Sequence, residues 1–431
     1  MNTVTPIAAS YLDSLLTGQP RPAVSPSAWL NTLRAAAVER VGVLTVPTTR
    51  DEEWRFTDIS LLTKMSFHPV RAAINLQATD VERFYIAEAT TRLVFVDGVY
   101  APQLSNIATD GVEVTNLAAG FAGHAAHLGQ HVEFQNNVFV ALNTAFLHDG
   151  ALVFVPRNVS VATPIHLLFI ATQAEAVSYP RCLLLAESGS AATVIEDYVS
   201  LQDEAYFTNA VTEIALADNA RVNHIRVQRE SMQAFHIANC AVSLAHASRY
   251  QSVSVTLGAR ISRYDLNVLQ AAEGAECAID GLALITDRQL ADSHTCIDHA
   301  KPHGVSRQLH KCIVGGAAHA VFNGKITVRP GAQRTDSSQS SRNLLLSDKA
   351  RVDTKPQLEI FADDVKCAHG ATVGQLEAEE VFYLKSGGLS DATARNLLTY
   401  AFGAEVMDRI PVASLRHRLE QTVLAQTTRQ P

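Results

Sequence analysis

Apolar residues follow two rhythms along the chain, and the switch between them divides it. Up to about residue 150 they recur every three or four positions, which predicts helices over Tyr11 to Leu16, Ala28 to Val41, Leu117 to His127 and Val138 to Leu147. Pro20, Pro22 and Pro26 break the first two apart. Arg92 to Tyr100 instead alternates around Asp97-Gly98, a hairpin signal because a tight two-residue turn needs residues that accept positive φ. The polar stretch Asp51 to Asp58, with Trp54 and Phe56 embedded, reads as a helix-ending turn with Trp54 tucked into a local core.

From about Ala151 the helical period fades, and Val, Ile, Leu and Thr alternate with small or polar residues for roughly two hundred positions. The turn alanines Ala191, Ala220, Ala247 and Ala275 lie 29, 27 and 28 residues apart, and further small-residue turns follow at Gly258-Ala259, Gly316-Ala317, Gly331-Ala332 and Lys349-Ala350. A repeat of that length holding two short strands is one coil of a β-solenoid, whose stacked coils bury an inward apolar row. Open ends of such a stack expose unpaired strand edges, so the helical segments before and after it are expected to cover them. The helical period returns near Glu377. Ser390 can N-cap a helix in which Ala394, Leu397, Leu398, Ala401 and Phe402 form the stripe that packs on the parent domain, and Ala413 to Ala425 closes the chain. The division is therefore a mostly helical region over 1–148 with one hairpin, a β-solenoid over 149–376 and a helical region over 377–431.

Composition removes several function classes. Lys plus Arg number 35 against 43 Asp plus Glu, a net charge of −8, so no nucleic-acid footprint is expected. No apolar run is long enough to span a membrane, and MNTVTPIAASYLDSLL lacks the basic start and apolar run of a secretory signal. A cytoplasmic location is expected. The six cysteines contain no C-x-x-C pair and suggest neither a disulfide framework nor a zinc finger. Asn323-Gly324-Lys325-Ile326 fails as a phosphate loop, because His319 stands where glycine is needed and Ile326 replaces Ser or Thr. Neither G-x-S-x-G nor H-E-x-x-H occurs, and Asp363-Asp364, if on a strand, would face opposite ways.

Three groups of residues could carry metal chemistry. In Asp363 to Gly374, DDVKCAHGATVG, strand alternation puts Cys367 and His369 on one side with little cover from Ala368 and Gly370, while Lys366 favours the thiolate. A soft and a borderline donor suit iron, zinc or an iron–sulfur species, yet two ligands leave the coordination sphere for the fold or another chain to complete. The ordinary alternative is a partly buried cysteine beside an incidental histidine. His294, Cys296, Asp298, His299, His303, His310, Cys312 and His319 form a second group without a known register, and solvent-facing positions on adjacent coils explain it as well. His124, His127 and His131 follow helical spacing and read as a solvated helix face.

The run from Gln333 to Leu376, QRTDSSQSSRNLLLSDKARVDTKPQLEIFADDVKCAHGATVGQL, resembles the signature of the SufB/SufD family of iron–sulfur cluster assembly scaffolds. EEWRFTD at 52–58, SRQLHK at 306–311 and VFNGKITV at 321–328 support it, so that the likeness spans nearly the whole chain. The D-D-V-K-C-x-H-G form is closer to the SufD branch than to the SufB branch. The resemblance implies a right-handed parallel β-helix flanked by helical domains, acting with a SufB-like paralogue and a SufC-like ATPase. It implies that Cys367 and His369 lie near the paralogue interface and share a transient, nascent iron–sulfur cluster there, with none bound by this chain alone. It assigns ATPase docking to residues 377–431, with Phe382, Leu397 and Phe402 as apolar candidates. Lys385-Ser386-Gly387-Gly388 departs from the R-S-R-G often found at that place, which leaves an ionic contact there in doubt.

The function that follows is a non-catalytic scaffold subunit, able to pair with a copy of itself in isolation. Two rivals come from other classes. A β-helix enzyme acting on polysaccharide is opposed by the low charge density and the unmatched secretory signal. A stand-alone iron-binding protein would have to draw on the 294–319 histidines.

Overall fold

The computed structural model describes residues 7–18, 25, 27–70, 74–108 and 111–428. Pro20, Pro22 and Pro26 lie outside the described residues. From Ala151 the strands alternate between two sheets, Arg181–Ala186 in sheet I, Ala191–Ser200 in sheet II, Phe207–Leu216 in sheet I, and onward to Arg351–Ile360 in sheet I and Lys366–Gly374 in sheet II. Each rung pairs in parallel with the rung one coil later: Phe207 with Phe235, then Ile261, and farther along His319 with Arg351. The chain is thus a β-solenoid of about eight turns. Its sharp corners use small residues, Ala247 and Ala259 taking φ of 50° and 68°. At Gly316, with φ of 58°, a Cβ would sit 2.6 Å from the Asp287 backbone nitrogen, so only glycine fits between those coils.

Helices cover the outer faces of the two sheets. Before the solenoid come α1 (Ile7–Gly18), α2 (Ala28–Val41), α3 (Ala78–Val81), α4 (Leu117–His124) and α5 (Val138–Ala145). Leu12, Leu15, Ala37, Val41, Phe139 and Leu142 from α1, α2 and α5 pack with Phe207, Phe235, Ile237 and Ile261 of sheet I. After it come α6 (Ala378–Ser386), α7 (Asp391–Met407) and α8 (Ala413–Thr428). Outward residues of sheet II, among them Ile195, Ile225, Val253, Leu282, Leu309 and Ile313, are apolar and draw in Val406, Met407, Ile410, Leu415, Leu419 and Val423.

Two expectations change. The face that α7 buries carries Ala394, Thr399, Gly403, Val406 and Met407, while Leu397 and Ala401 point away. Gly403 explains the rotation: a Cβ there would already stand 3.4 Å from Ile313, so the bare backbone lies closest to the sheet. The trailing helices also do not cover the end of the stack, because the apolar outer face of sheet II holds them alongside it.

The two ends of the solenoid differ. At the N-terminal end Thr91–Val96 runs parallel to Ile165–Ala171 and then turns at Asp97 and Gly98, φ 50° and 82°, into Val99–Tyr100, which closes sheet II with a short antiparallel strand. Glu113–Asn116 does the same for sheet I against Ala151–Val155. At the other end Arg351–Ile360 and Lys366–Gly374 are the last strands of their sheets, ten and nine residues long, and hardly a residue of either is buried.

Candidate functional site

Cys367 and His369 sit on that final rung of sheet II. Cys367 pairs with Ser337 and His369 with Gln339, and both partners are buried in the solenoid interior. Strand alternation therefore directs Cys367 and His369 inward as well, into a mouth with no further coil above it. Cys367 is half-buried and touches the interior core, whereas His369 is exposed. The opposite wall is the inward row of Arg351–Ile360, where Thr354, Pro356 and Leu358 continue Phe322, Gly324 and Ile326. Four buried polar atoms in these last coils, Gln339 Oε1, Asn343 Oδ1, Thr354 Oγ1 and Gln357 Oε1, have no hydrogen-bond partner. A soft donor, an imidazole and unsatisfied oxygens at an uncovered mouth make half of a polar site.

The electrostatics of Cys367 differ from expectation. Burial, together with the neighbouring Asp336 carboxylate, pushes the thiol above its ordinary range. Lys366, the register partner of that same Asp336, is not among the groups that shift it. The thiolate therefore needs an incoming cation to stabilise it.

The 294–319 group does not converge. His294 and Cys296 face outward from sheet I, while His310 and Cys312 face the interior from sheet II. His299 bonds Ser306 inside, His303 lies at a turn near Glu273, and His319 pairs with Asp353. Among the described residues no three or more His, Cys, Asp or Glu side chains are grouped to hold a metal ion. Asn323 to Ile326 lie within a strand, Asp363 and Asp364 lie in the bend before the last strand, and α4 ends at His124, which leaves His127 and His131 off its face.

The polar stretch at 51–58 is the feature the linear pattern missed. A 3₁₀ turn over Glu52–Trp54 straps across four successive rungs of sheet I, while Trp54 also packs, as expected, on a local core, its ring 5.7 Å from that of Phe139. Arg263 lies 3.8 Å over the Trp54 ring and donates to the Glu53 carbonyl oxygen. Thr57 donates to Asp292 at 2.6 Å, Glu53 meets His294 and Asn323, and Glu52 accepts from Lys355 on the final rung. Burial would raise the Asp292 carboxyl, but His294 and Arg263 outweigh it and hold it at about 2. Burial would likewise lower the His294 imidazole, yet Asp292 and Glu53 lift it to about 9. Only the unusual spacing of aromatic and acidic residues hinted at this strap.

On the trailing helices Phe382 is 73%, Tyr383 76% and Leu397 44% exposed, so α6 and α7 offer an exposed apolar set to solvent. Phe402 does not join it. Its ring is half-buried against sheet II, with the Lys311 ammonium 4.5 Å from its centroid.

Comparison with known proteins adds a family. Residues 169–402 match the family described as SUF system FeS cluster assembly, SufBD core domain, and residues 9–167 match the SufBD protein N-terminal region. An iron–sulfur cluster assembly SufBD family protein of Synechocystis is 44% identical over 91% of this chain and 90% of its own. The iron–sulfur cluster assembly protein SufD of Escherichia coli is 35% identical over 87% and 88%, and a chloroplastic protein of Arabidopsis thaliana is 31% identical over 96% and 89%.

Proposed function

Because the chain belongs to the SufBD family of iron–sulfur cluster assembly proteins, we propose that it is a scaffold subunit of a Suf assembly complex whose uncovered solenoid end docks a SufB-like paralogue. One observation carries this reading: Cys367 and His369 face out of the end whose two full-length edge strands pair with no further strand among the described residues. Docking satisfies those edges and brings further ligands to the mouth. The nascent cluster is cargo, held transiently between two chains and not by this one alone. A divalent iron arriving there favours the Cys367 thiolate that burial and Asp336 disfavour, and the exposed imidazole offers a nitrogen beside it.

A SufC-like ATPase docks on the trailing helices, where Phe382 and Leu397 are offered to a partner, and supplies the nucleotide hydrolysis for which this chain carries no motif. The chain itself is a non-catalytic member of the complex and works in the cytoplasm; among the described residues no helix is long and apolar enough to cross a membrane. Substituting His369 by Ala tests the site. Cluster formation by the reconstituted complex is expected to be abolished while the three subunits still co-elute, and an unchanged cluster yield would remove His369 from the mechanism.

A further inference from the structure

The interior beneath His369 is not apolar. A file of buried side chains runs down from the mouth: Gln339 Nε2 donates to Gln308 Oε1 at 2.8 Å, and Gln308 Nε2 in turn reaches Thr295 Oγ1 and, at 3.1 Å, His310 Nε2. His310 lies stacked on Phe322 at 4.3 Å, and burial keeps its imidazole neutral, so its Nε2 can accept. An amide has one donor end and one acceptor end. Gln308 turns its amino group down to Thr295 and His310, which leaves its oxygen for Gln339. Gln339 answers with its own amino group, and the end of the file nearest the mouth is consequently an oxygen. That oxygen, Gln339 Oε1, is buried and has no partner. Other buried acceptors, Asn343 Oδ1 among them, are also without a partner, and what sets this one apart is its place beneath His369. Directly above it in register, and projecting to the same side, stands His369.

We propose that Gln339 is a positioning residue for His369: its side-chain oxygen accepts the ring N–H when the partner covers the mouth, which fixes the tautomer that turns the other ring nitrogen's lone pair toward the metal. This rests on the role of His369 given above and adds the group that sets its orientation. With His310 in the Nδ1–H tautomer, the orientation of Gln308 against Thr295 and His310 sets the polarity of that hydrogen bond from below. The imidazole that holds a metal ordinarily needs such an acceptor behind it.

The test uses the reconstituted complex with this chain labelled with ¹⁵N in its histidine rings, and assigns His369 by difference from His369→Gln. A single ring tautomer is expected at His369. In Gln339→Leu the ring relaxes to the mixture of a free imidazole and ferrous iron binding weakens about tenfold, while Gln339→Glu, which keeps an acceptor oxygen, restores both. A tautomer that ignores Gln339→Leu overturns the proposal, as does an iron affinity that Glu fails to rescue. If the Leu variant does not assemble, Gln308→Leu frees the Gln339 amide to turn over, and an unchanged tautomer there is equally fatal. A responsive tautomer in a complex whose cluster yield survives His369→Ala would instead sink the function proposed above and leave this hydrogen bond standing.

Discussion

The two ends of the solenoid are built from the same coil and filled with different chemistry. At the N-terminal end the inward row is Leu93, Phe95, Val153, Val155, Leu167 and Phe169, with Phe95, Phe169 and Tyr198 stacked at 5.2 and 4.9 Å. At the other end the inward positions of sheet II include Ser306, Gln308 and His310, then Ser337, Gln339, Ser341 and Asn343, then Cys367 and His369, beside the apolar Cys312, Val314 and Val373. The first end is closed by short antiparallel strands and leading helices, the second by no further strand among the described residues. Apolar stacking stabilises a coil without directing it toward a ligand, whereas a hydrogen-bonded interior holds polar groups at fixed positions at some cost in burial energy. The stacked aromatic core thus lies at one end and the polar groups that could meet a ligand at the other.

The largest effect expected from this contrast is in the closed end. Phe169 is 5% exposed and sandwiched between two rings, so Phe169→Ala should cost about 3–5 kcal/mol through lost contacts and the cavity left behind. Urea midpoints of the isolated chain measure it. Ser337→Ala, in the polar coils, removes one hydroxyl contact with Ser306 and should cost about 1 kcal/mol. Equal losses at the two sites would erase the distinction.

Much of this architecture is legible in the chain's own periodicity. The spacing of Ala220, Ala247 and Ala275 reports the coil, because each corner must bend where neighbouring coils nearly touch and only a small side chain leaves room. The parity of Cys367 and His369 is equally local, since a strand alternates by two. What lies between coils is not local. Whether Phe402 or Leu397 faces the sheet depends on Gly403 meeting Ile313, ninety residues away, and the purpose of Trp54 depends on Arg263. The Gln339 file joins three coils, so no window of sequence contains it.

The strap offers an intermediate effect toward the open end, since it ties the segment after α2 to the rungs from Arg263 to Lys355. His294 sits among Asp292, Glu53 and Arg263, and its imidazole is raised to about 9 from an ordinary 6.5. A raised value means the protonated form is bound more tightly in the fold. Its contribution is complete below pH 6.5 and disappears as the pH climbs through 9. Asp292 behaves oppositely, its share present above pH 3.8 and lost as the pH falls through about 2. His294→Gln should therefore remove on the order of 2 kcal/mol at pH 6 and flatten the decline of stability between pH 6.5 and 9. Unfolding midpoints across that range check it; a wild-type midpoint that does not fall toward pH 9 would mean that the strap is held by Arg263 and Thr57 alone.

The smallest effect on folding is expected where the consequence for assembly is greatest. Val373 occupies an inward position of the last rung, paired with Asn343, yet it is 49% exposed because no coil follows. Val373→Glu should leave the isolated monomer within about 0.5 kcal/mol of wild type, as surface substitutions do. The same charge at Leu93, an inward residue of the closed end with no exposed surface, has no route to water and should prevent folding. Val373→Glu should nevertheless block docking, because a partner strand that covers the mouth would bury the carboxylate without a counter-ion. Co-elution with the paralogue subunit measures the second effect and a urea titration the first. If the variant loses several kcal/mol while free of any partner subunit, and the loss grows with protein concentration, the mouth is already covered by a second copy of this chain, and the open end of the single chain is an end that pairs with itself before it pairs with a relative.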